Sequence, residues 1–167
     1  GGGGIFSETA PSQLLMTNCT VTGNTASFGG GFLIRNSSAV SLVHCTVSGN
    51  VGTGGSGGVV LESSGSLFLQ NTIVAANGDD IGGCGGTLTR SGNNIIGAQP
   101  FCYPAVAPVG APNIYGDYVG TSGSPVNPLL SPLGNYGGPT RTMPPLLGSL
   151  AIDTATIPST TTDQRGY

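Results

Sequence analysis

An all-β solenoid is what the sequence predicts, and three observations predict it. Gly2-Gly3-Gly4-Ile5 recurs as Gly29-Gly30-Gly31-Phe32 and again as Gly57-Gly58-Val59. Asn18-Cys19-Thr20-Val21-Thr22-Gly23-Asn24 recurs as His44-Cys45-Thr46-Val47-Ser48-Gly49-Asn50, then as Asn71-Thr72-Ile73-Val74-Ala75-Ala76-Asn77. Both motifs step by roughly 27 residues, a period that in strand-like sequence marks coils stacked one on the next. Within each repeat the apolar residues alternate in twos, the pattern of short half-buried strands.

The second repeat shows one coil in full. Phe32 and Ile34 alternate after the glycines, and Asn36-Ser37-Ser38 turns the chain. Val40 and Leu42 alternate next, His44 stands where the alternation breaks, and Cys45 and Val47 resume it before Ser48-Gly49-Asn50 turns again. The first repeat offers Ile5, then Leu14 and Met16, then Cys19 and Val21. The third offers Val59 and Leu61, then Leu67 and Leu69, then Thr72 and Val74.

Stacking these coils makes three apolar columns: Ile5, Phe32 and Val59; Met16, Leu42 and Leu69; Val21, Val47 and Val74. Each strand then pairs in parallel with its equivalent one coil along, about 4.8 Å away. The expectation is a right-handed parallel β-helix, right-handed by the crossover rule. About four coils of roughly 27 residues fill residues 1–98. Residues 99–167 form a Pro/Gly-rich loop and a tail that pack on or beyond the coils, with Thr-rich residues 154–163 near the end. The chain opens on Gly1 without methionine, which fits a processed form or part of something longer.

The composition narrows the function. Charged residues make up 7 %, against about a quarter in ordinary soluble proteins. There is no lysine, the cations are Arg35, Arg90, Arg141 and Arg165, and the net charge is -3. Nucleic acid and anionic membrane surfaces are poor partners for such a chain, because both need clustered Lys and Arg. No apolar run is long enough to span a bilayer. Four cysteines in so uncharged a chain fit an extracellular setting.

Cys84 and Cys102 bracket a turn-rich stretch and are expected to pair. Cys19 and Cys45 occupy the same position of successive coils, either bonded or as reduced, buried thiols. Asn18, His44 and Asn71 share one bend, and Asn24, Asn50 and Asn77 share another; side chains stacked in this way can form hydrogen-bonded ladders. His44 is read as a structural member of its ladder, since a single His without companion ligands makes a poor metal site. Asn18 and Asn36 head glycosylation sequons, with Asn36 in the more open turn.

Little here points to catalysis. The acids are Glu8, Glu62, Asp79, Asp80, Asp117, Asp153 and Asp163. Only Asp79 and Asp80 adjoin, in a turn, and neighbouring residues of an extended chain face opposite ways. A polysaccharide lyase or hydrolase needs clustered carboxylates. No catalytic residue, metal site or cofactor is therefore expected. Outward Thr20, Thr22, Thr46 and Ser48 resemble an ice-binding array, but Ile73 and Ala75 interrupt it.

The C-terminal half carries an ordered set of motifs: Cys84-Gly85-Gly86-Thr87-Leu88, Asn94-Ile95-Ile96-Gly97, Asn127-Pro128-Leu129-Leu130, Leu133-Gly134-Asn135-Tyr136-Gly137-Gly138-Pro139-Thr140, Leu146-Leu147-Gly148-Ser149, Ala151-Ile152-Asp153 and Asp163-Gln164-Arg165-Gly166. Residues 71–167 thereby resemble the C-terminal module of bacterial choice-of-anchor Q surface proteins, with Leu150 where that module usually has proline. The upstream coils resemble pectin-lyase-like and polymorphic outer-membrane repeats. The resemblance implies export and surface display, and no catalytic residues. Within its motifs Asp153, Asp163 and Arg165 are expected to latch the tail onto the coils through an Arg–carboxylate pair.

The leading expectation is a non-catalytic extracellular structural protein. Its subunits would associate with themselves through coil ends or an exchanged C-terminal strand, as a surface fibre or layer. The alternative is an adhesin-like module binding glycans through Tyr115 and Tyr118 on the loop between Tyr103 and Tyr136.

Overall fold

Short strands separated by one- to few-residue bends build the fold, seen in a computed structural model that describes residues 2–9, 12–100, 102–103, 110–155 and 160–167. Gly1 and residues 156–159 of the Thr-rich stretch lie outside the described residues. The first coil holds β1 (Ile5–Ser7), β2 (Gln13–Thr17), β3 (Thr20–Val21) and β4 (Thr25–Ala26). The second repeats it with β5 (Phe32–Ile34), β6 (Ala39–Val43), β7 (Thr46–Val47) and β8 (Val51–Gly52). The third contributes β9 (Val59–Leu61), β10 (Ser66–Gln70) and β11 (Ile73–Val74), and the fourth β12 (Ile81–Gly82), β13 (Thr87–Arg90) and β14 (Ile95–Ile96). A last strand, β15 (Tyr118–Val119), adds one more rung.

Equivalent strands pair in parallel. The three main sheets run β1-β5-β9-β12, β2-β6-β10-β13 and β3-β7-β11-β14-β15, with β4-β8 as a two-stranded fourth. The register places Ile5, Phe32 and Val59 in one file. Met16, Leu42 and Leu69 form a second, and Val21, Val47 and Val74 a third. All-β, parallel and about four coils deep, the fold is the one the repeat predicts. The stack nevertheless runs past residue 98, because β15 pairs with β14 through Ile95–Tyr118 and Ile96–Val119. The expected boundary at 98 thus falls inside the sheet. The last rung lacked the glycine and cysteine landmarks of the earlier repeats.

The core fills the bore of the coil. Phe32, Ile34, Val40, Leu42, Val47, Leu61, Leu69 and Val74 are fully buried in it. Tyr103 and Cys102 pack on it near the C-terminal end, where the Cys84–Cys102 disulfide spans a Cα–Cα distance of 6.0 Å. A closed loop of this size commonly contributes about 3 kcal/mol. At the other end Ile5, Leu14, Met16 and Cys19 are only partly buried, and Leu15 is 69 % exposed.

The glycine runs have a steric cause. A Cβ on Gly57 would lie 2.0 Å from the Asn77 carbonyl oxygen, and one on Gly58 2.1 Å from that of Asp80. At these corners one coil's backbone presses on the next too closely for any side chain.

The C-terminal segment folds back along the outer face of the third sheet. An apolar strip of Ile73, Ala75 and Ile95 is covered by Tyr118, Val126, Leu130, Leu150 and Ala151. The covering chain is braced as an antiparallel pair: Gly134 and Thr142 exchange both backbone hydrogen bonds at 3.0 Å, and Ser131 N–H donates to the Pro144 carbonyl at 2.8 Å. The tail also lies over part of the outward threonine array. Thr20 and Thr46 do face outward, but Thr20 Oγ1 donates to Gln164 Oε1 at 2.7 Å beneath the tail, and Ser48 is buried.

Candidate functional site

Two files of polar side chains run through the interior corners, and each ends on a carboxylate. In the first, Asn24, Asn50 and Asn77 stack. Asn24 donates its backbone N–H and its Nδ2 to Asn50 Oδ1, at 3.1 and 2.9 Å. Asn50 does the same to Asn77 Oδ1, at 3.0 and 2.9 Å. Asn77 then gives both donors to Asp80 Oδ1, at 2.7 and 2.8 Å. An amide accepts at one end and donates at the other, so a file of amides needs a pure acceptor to finish it, and an ionised Asp is one.

The second file is Cys45, Thr72, Asn94 and Asp117. Cys45 N–H donates to Thr72 Oγ1 at 3.2 Å, Thr72 N–H to Asn94 Oδ1 at 2.9 Å, and Asn94 N–H and Nδ2 to Asp117 Oδ1 at 2.9 and 2.8 Å. The sequence reading missed this file because its residue types change at every rung. The adjacent Asn93-Asn94, in register with Asn71-Thr72, is the signal that would have found it.

The two terminal carboxylates differ in company. Asp117 has Arg90 at 3.7 Å, both side chains buried, and Arg90 also donates to Gln99 Oε1. Burial still pushes Asp117 upward from the usual carboxylate range, outweighing the hydrogen bonds from Asn94 and the Arg90 charge. Among the described residues no cation pairs with Asp80. Burial raises it to about 6 despite hydrogen bonds from Asn77, and neighbouring Asp79 adds to the rise. Asp79 is exposed and accepts from Ser122 Oγ at 2.7 Å.

The bend file Asn18, His44 and Asn71 is set by backbone conformation. All three have positive φ, at 53°, 52° and 48°, and Asn93 continues the file at 58°. Asn tolerates the left-handed region better than most residues, which explains its recurrence. Asn71 Nδ2 and His44 Nε2 lie 3.4 Å apart, while Asn18 Nδ2 donates to the Thr162 carbonyl at 2.7 Å. Burial lowers the His44 pKa, keeping the ring neutral.

Among the other residues singled out from sequence, Cys19 and Cys45 are free thiols, with Cys45 buried and pushed up to about 11. Asn36 is exposed at a positive-φ turn. The tail latch is rearranged. Arg165 and Asp163 pair with each other at 2.6 Å inside one turn, and the tail holds the coils instead through Asn18–Thr162 and Thr20–Gln164. Asp153 is exposed at a positive-φ turn, and Arg165 pairs with Asp163 in its place. Neighbouring residues captured the guanidinium because a two-residue loop costs least to close. Tyr118 is half-buried against the apolar strip, and Tyr115 is exposed, with Arg90 5.6 Å above its ring. Glu8 pairs with Arg35.

Two clefts that share His44 lie between the folded-back segment and the third sheet. The larger, about 440 Å³, has Thr20 and Thr46 as floor, Thr142 to Pro145 as one wall and Thr160 to Arg165 as the other. The smaller, about 200 Å³, lies between Asn71, Asn93, Ile95 and Ala151, and His44 borders both. Among the described residues no three His, Cys, Asp or Glu side chains gather as metal ligands, and no helix is long and apolar enough to cross a membrane.

No curated protein and no solved structure gives a match to the chain. The family model described as the right-handed beta helix region matches residues 1–124, from the first coil through β15 and just beyond it. With most of its length matched and its strands stacked in parallel coils, the chain belongs to the right-handed β-helix family.

Proposed function

We propose that the chain is a non-catalytic structural module of an extracellular surface protein, and that it associates with a second copy through its first coil. The carrying observation is the asymmetry of the stack. Near the far end buried Tyr103 and the Cys84–Cys102 disulfide pack on the core, while β1 and β2 are edge strands over half-buried Ile5, Leu14 and Met16. A parallel edge with apolar residues behind it is a template for another strand. The tail is bound to its own first coil, so the coil edge is the better surface for association than an exchanged tail strand. Two copies meeting at the same face make a closed pair rather than a fibre.

The non-catalytic reading is supported by what the acids do. Asp80 and Asp117 terminate ladders, Glu8 and Asp163 pair with arginines, and Asp79 holds Ser122. The disulfide and the resemblance to choice-of-anchor Q modules support export and display.

Sedimentation of the purified chain across a hundredfold concentration range tests the association. A dimer that Met16→Lys converts to monomer is expected; a monomer throughout, or a dimer indifferent to Met16→Lys and Leu14→Lys, sinks it. Incubation with polygalacturonate and neutral polysaccharides in Ca²⁺ tests the rest, and released unsaturated or reducing ends would refute a non-catalytic role.

A further inference from the structure

We infer that the larger cleft beside the third sheet is a binding site for a neutral oligosaccharide. Its lining is rich in hydroxyls: Thr20, Thr46, Thr142 and the threonines 160–162. Each hydroxyl both donates and accepts, which suits a ligand whose own hydroxyls do the same. The volume, about 440 Å³, falls within the range of pockets that enclose small ligands.

Thr142 supplies the second observation. It lines the cleft, is 7 % exposed, and its Oγ1 finds no hydrogen-bond partner among the described residues. A buried hydroxyl left unmatched costs free energy that a partner recovers. Two backbone hydrogen bonds to Gly134 hold the residue in place, and a turn about χ1 is what would bring its covered Oγ1 to a ligand.

Electrostatics select the ligand class. Arg165 and Asp163 neutralise each other, and His44 is kept neutral by burial. Among the described side chains that line the cleft, no charge stands outside that pair to draw a uronate, phosphate or basic peptide. Tyr167 lines the cleft too, 75 % exposed, with Arg165 stacked 5.4 Å from its ring. A fixed aromatic face offers the apolar C–H side of a sugar ring a platform. A peptide would instead need apolar pockets for its side chains, and this lining has few beyond Met143 and the prolines. The site differs from the expected tyrosine loop, since neither Tyr115 nor Tyr118 borders it.

Calorimetric titration and saturation-transfer NMR with cellotriose, laminaritriose, mannotriose and triacetylchitotriose test this, with trigalacturonate as the charged counterpart. At least one neutral trisaccharide is expected to bind. Thr142→Val and Tyr167→Ala should each weaken it roughly three- to tenfold, the scale of one hydrogen bond or ring contact, with thermal melts showing the fold retained. Tyr115→Ala should leave binding unchanged. Binding by none of the four, equal binding of trigalacturonate, or binding that survives both cleft substitutions overturns the assignment. Tyr167 is exposed enough that its removal leaves the fold intact should Thr142→Val prove unstable.

Discussion

Truncating Asn50 to alanine should cost far more than truncating Asn24, though the two are repeats of one position. Asn50 is 1 % exposed and sits mid-file. Its Oδ1 accepts from Asn24 N–H and Asn24 Nδ2, and its Nδ2 donates to the Val21 carbonyl and Asn77 Oδ1, each at 2.9 Å. Removing it deletes these bonds, worth about 1 kcal/mol each net, and leaves the Asn24 N–H without an acceptor at a further 1–3 kcal/mol or so. A loss of about 5–7 kcal/mol follows, a large share of a typical total of roughly 5–15 kcal/mol. Asn24 is half-buried at the first rung, and water replaces much of what Asn24→Ala removes, so about 1 kcal/mol is expected there. Asn50→Asp should be worse than alanine, because an oxygen would then face the Val21 and Asn77 oxygens. Equilibrium urea unfolding of the oxidised protein, followed by far-ultraviolet circular dichroism, gives the comparison. If Asn50→Ala is no more destabilising than Asn24→Ala, the ladder is not what holds these corners.

Other outcomes follow from the terminal acids and the packed corners. Asp80 is raised from 3.8 to about 6, so the folded state binds its proton more tightly than the unfolded chain does. Its contribution to stability therefore grows as pH falls through 6 toward 4, by about 3 kcal/mol for a shift of two units. Melting temperature should rise between pH 7 and 5, and Asp80→Asn should flatten that slope. Arg90→Met strips Asp117 of its buried counter-ion and should cost about 3–5 kcal/mol at pH 7; an effect under 1 kcal/mol would contradict the pairing. Cys45, held as a thiol with its pKa up to about 11, should resist alkylation at pH 8 until the coils are unfolded, as peptide mass mapping would reveal. Gly57→Ala forces a methyl against the Asn77 carbonyl and should lower expression of folded protein or cost more than 2 kcal/mol or so in a urea titration.

The coils were legible because a solenoid repeats its errors as well as its signals. Phe32, Leu42 and Val47 could each be aligned with two partners, and a chance alternation rarely recurs twice in register. β15 was not legible, since Tyr118-Val119 follows a long irregular insertion with no glycine run before it. Asn24, Asn50 and Asn77 were readable as a column by identity. The carboxylate that ends the column was not, because Asp80 lies three residues beyond Asn77 rather than one coil beyond it. The cleft was the least readable feature. It joins Thr20 to Gln164 across 144 residues, and no local pattern announces which outer face a tail will choose. What decides it is the break in the threonine array: Ile73 and Ala75 make the upper part of that face apolar, and Leu130, Leu150 and Ala151 bury it.

That division of one sheet face has a consequence for how the cleft is built. The upper rungs anchor the covering segment by apolar contact, as Ile73 and Ile95 show. The lower rungs, Thr20 and Thr46, are left polar under the same segment, which is held there by the Thr20–Gln164 and Asn18–Thr162 hydrogen bonds. A tail fixed at one end and lightly held at the other leaves an open space over the polar half, which is where the cleft lies. Replacing Thr46 by isoleucine should extend the apolar strip downward, draw residues 160–164 onto the coil and occlude the cleft. Stability should then rise by about 1 kcal/mol, from burying added apolar surface, while binding of the neutral trisaccharide is lost. Gain in one and loss in the other, measured on the same variant by urea titration and calorimetry, would tie the cleft to the two-part face; a variant that binds as well as its parent would separate them.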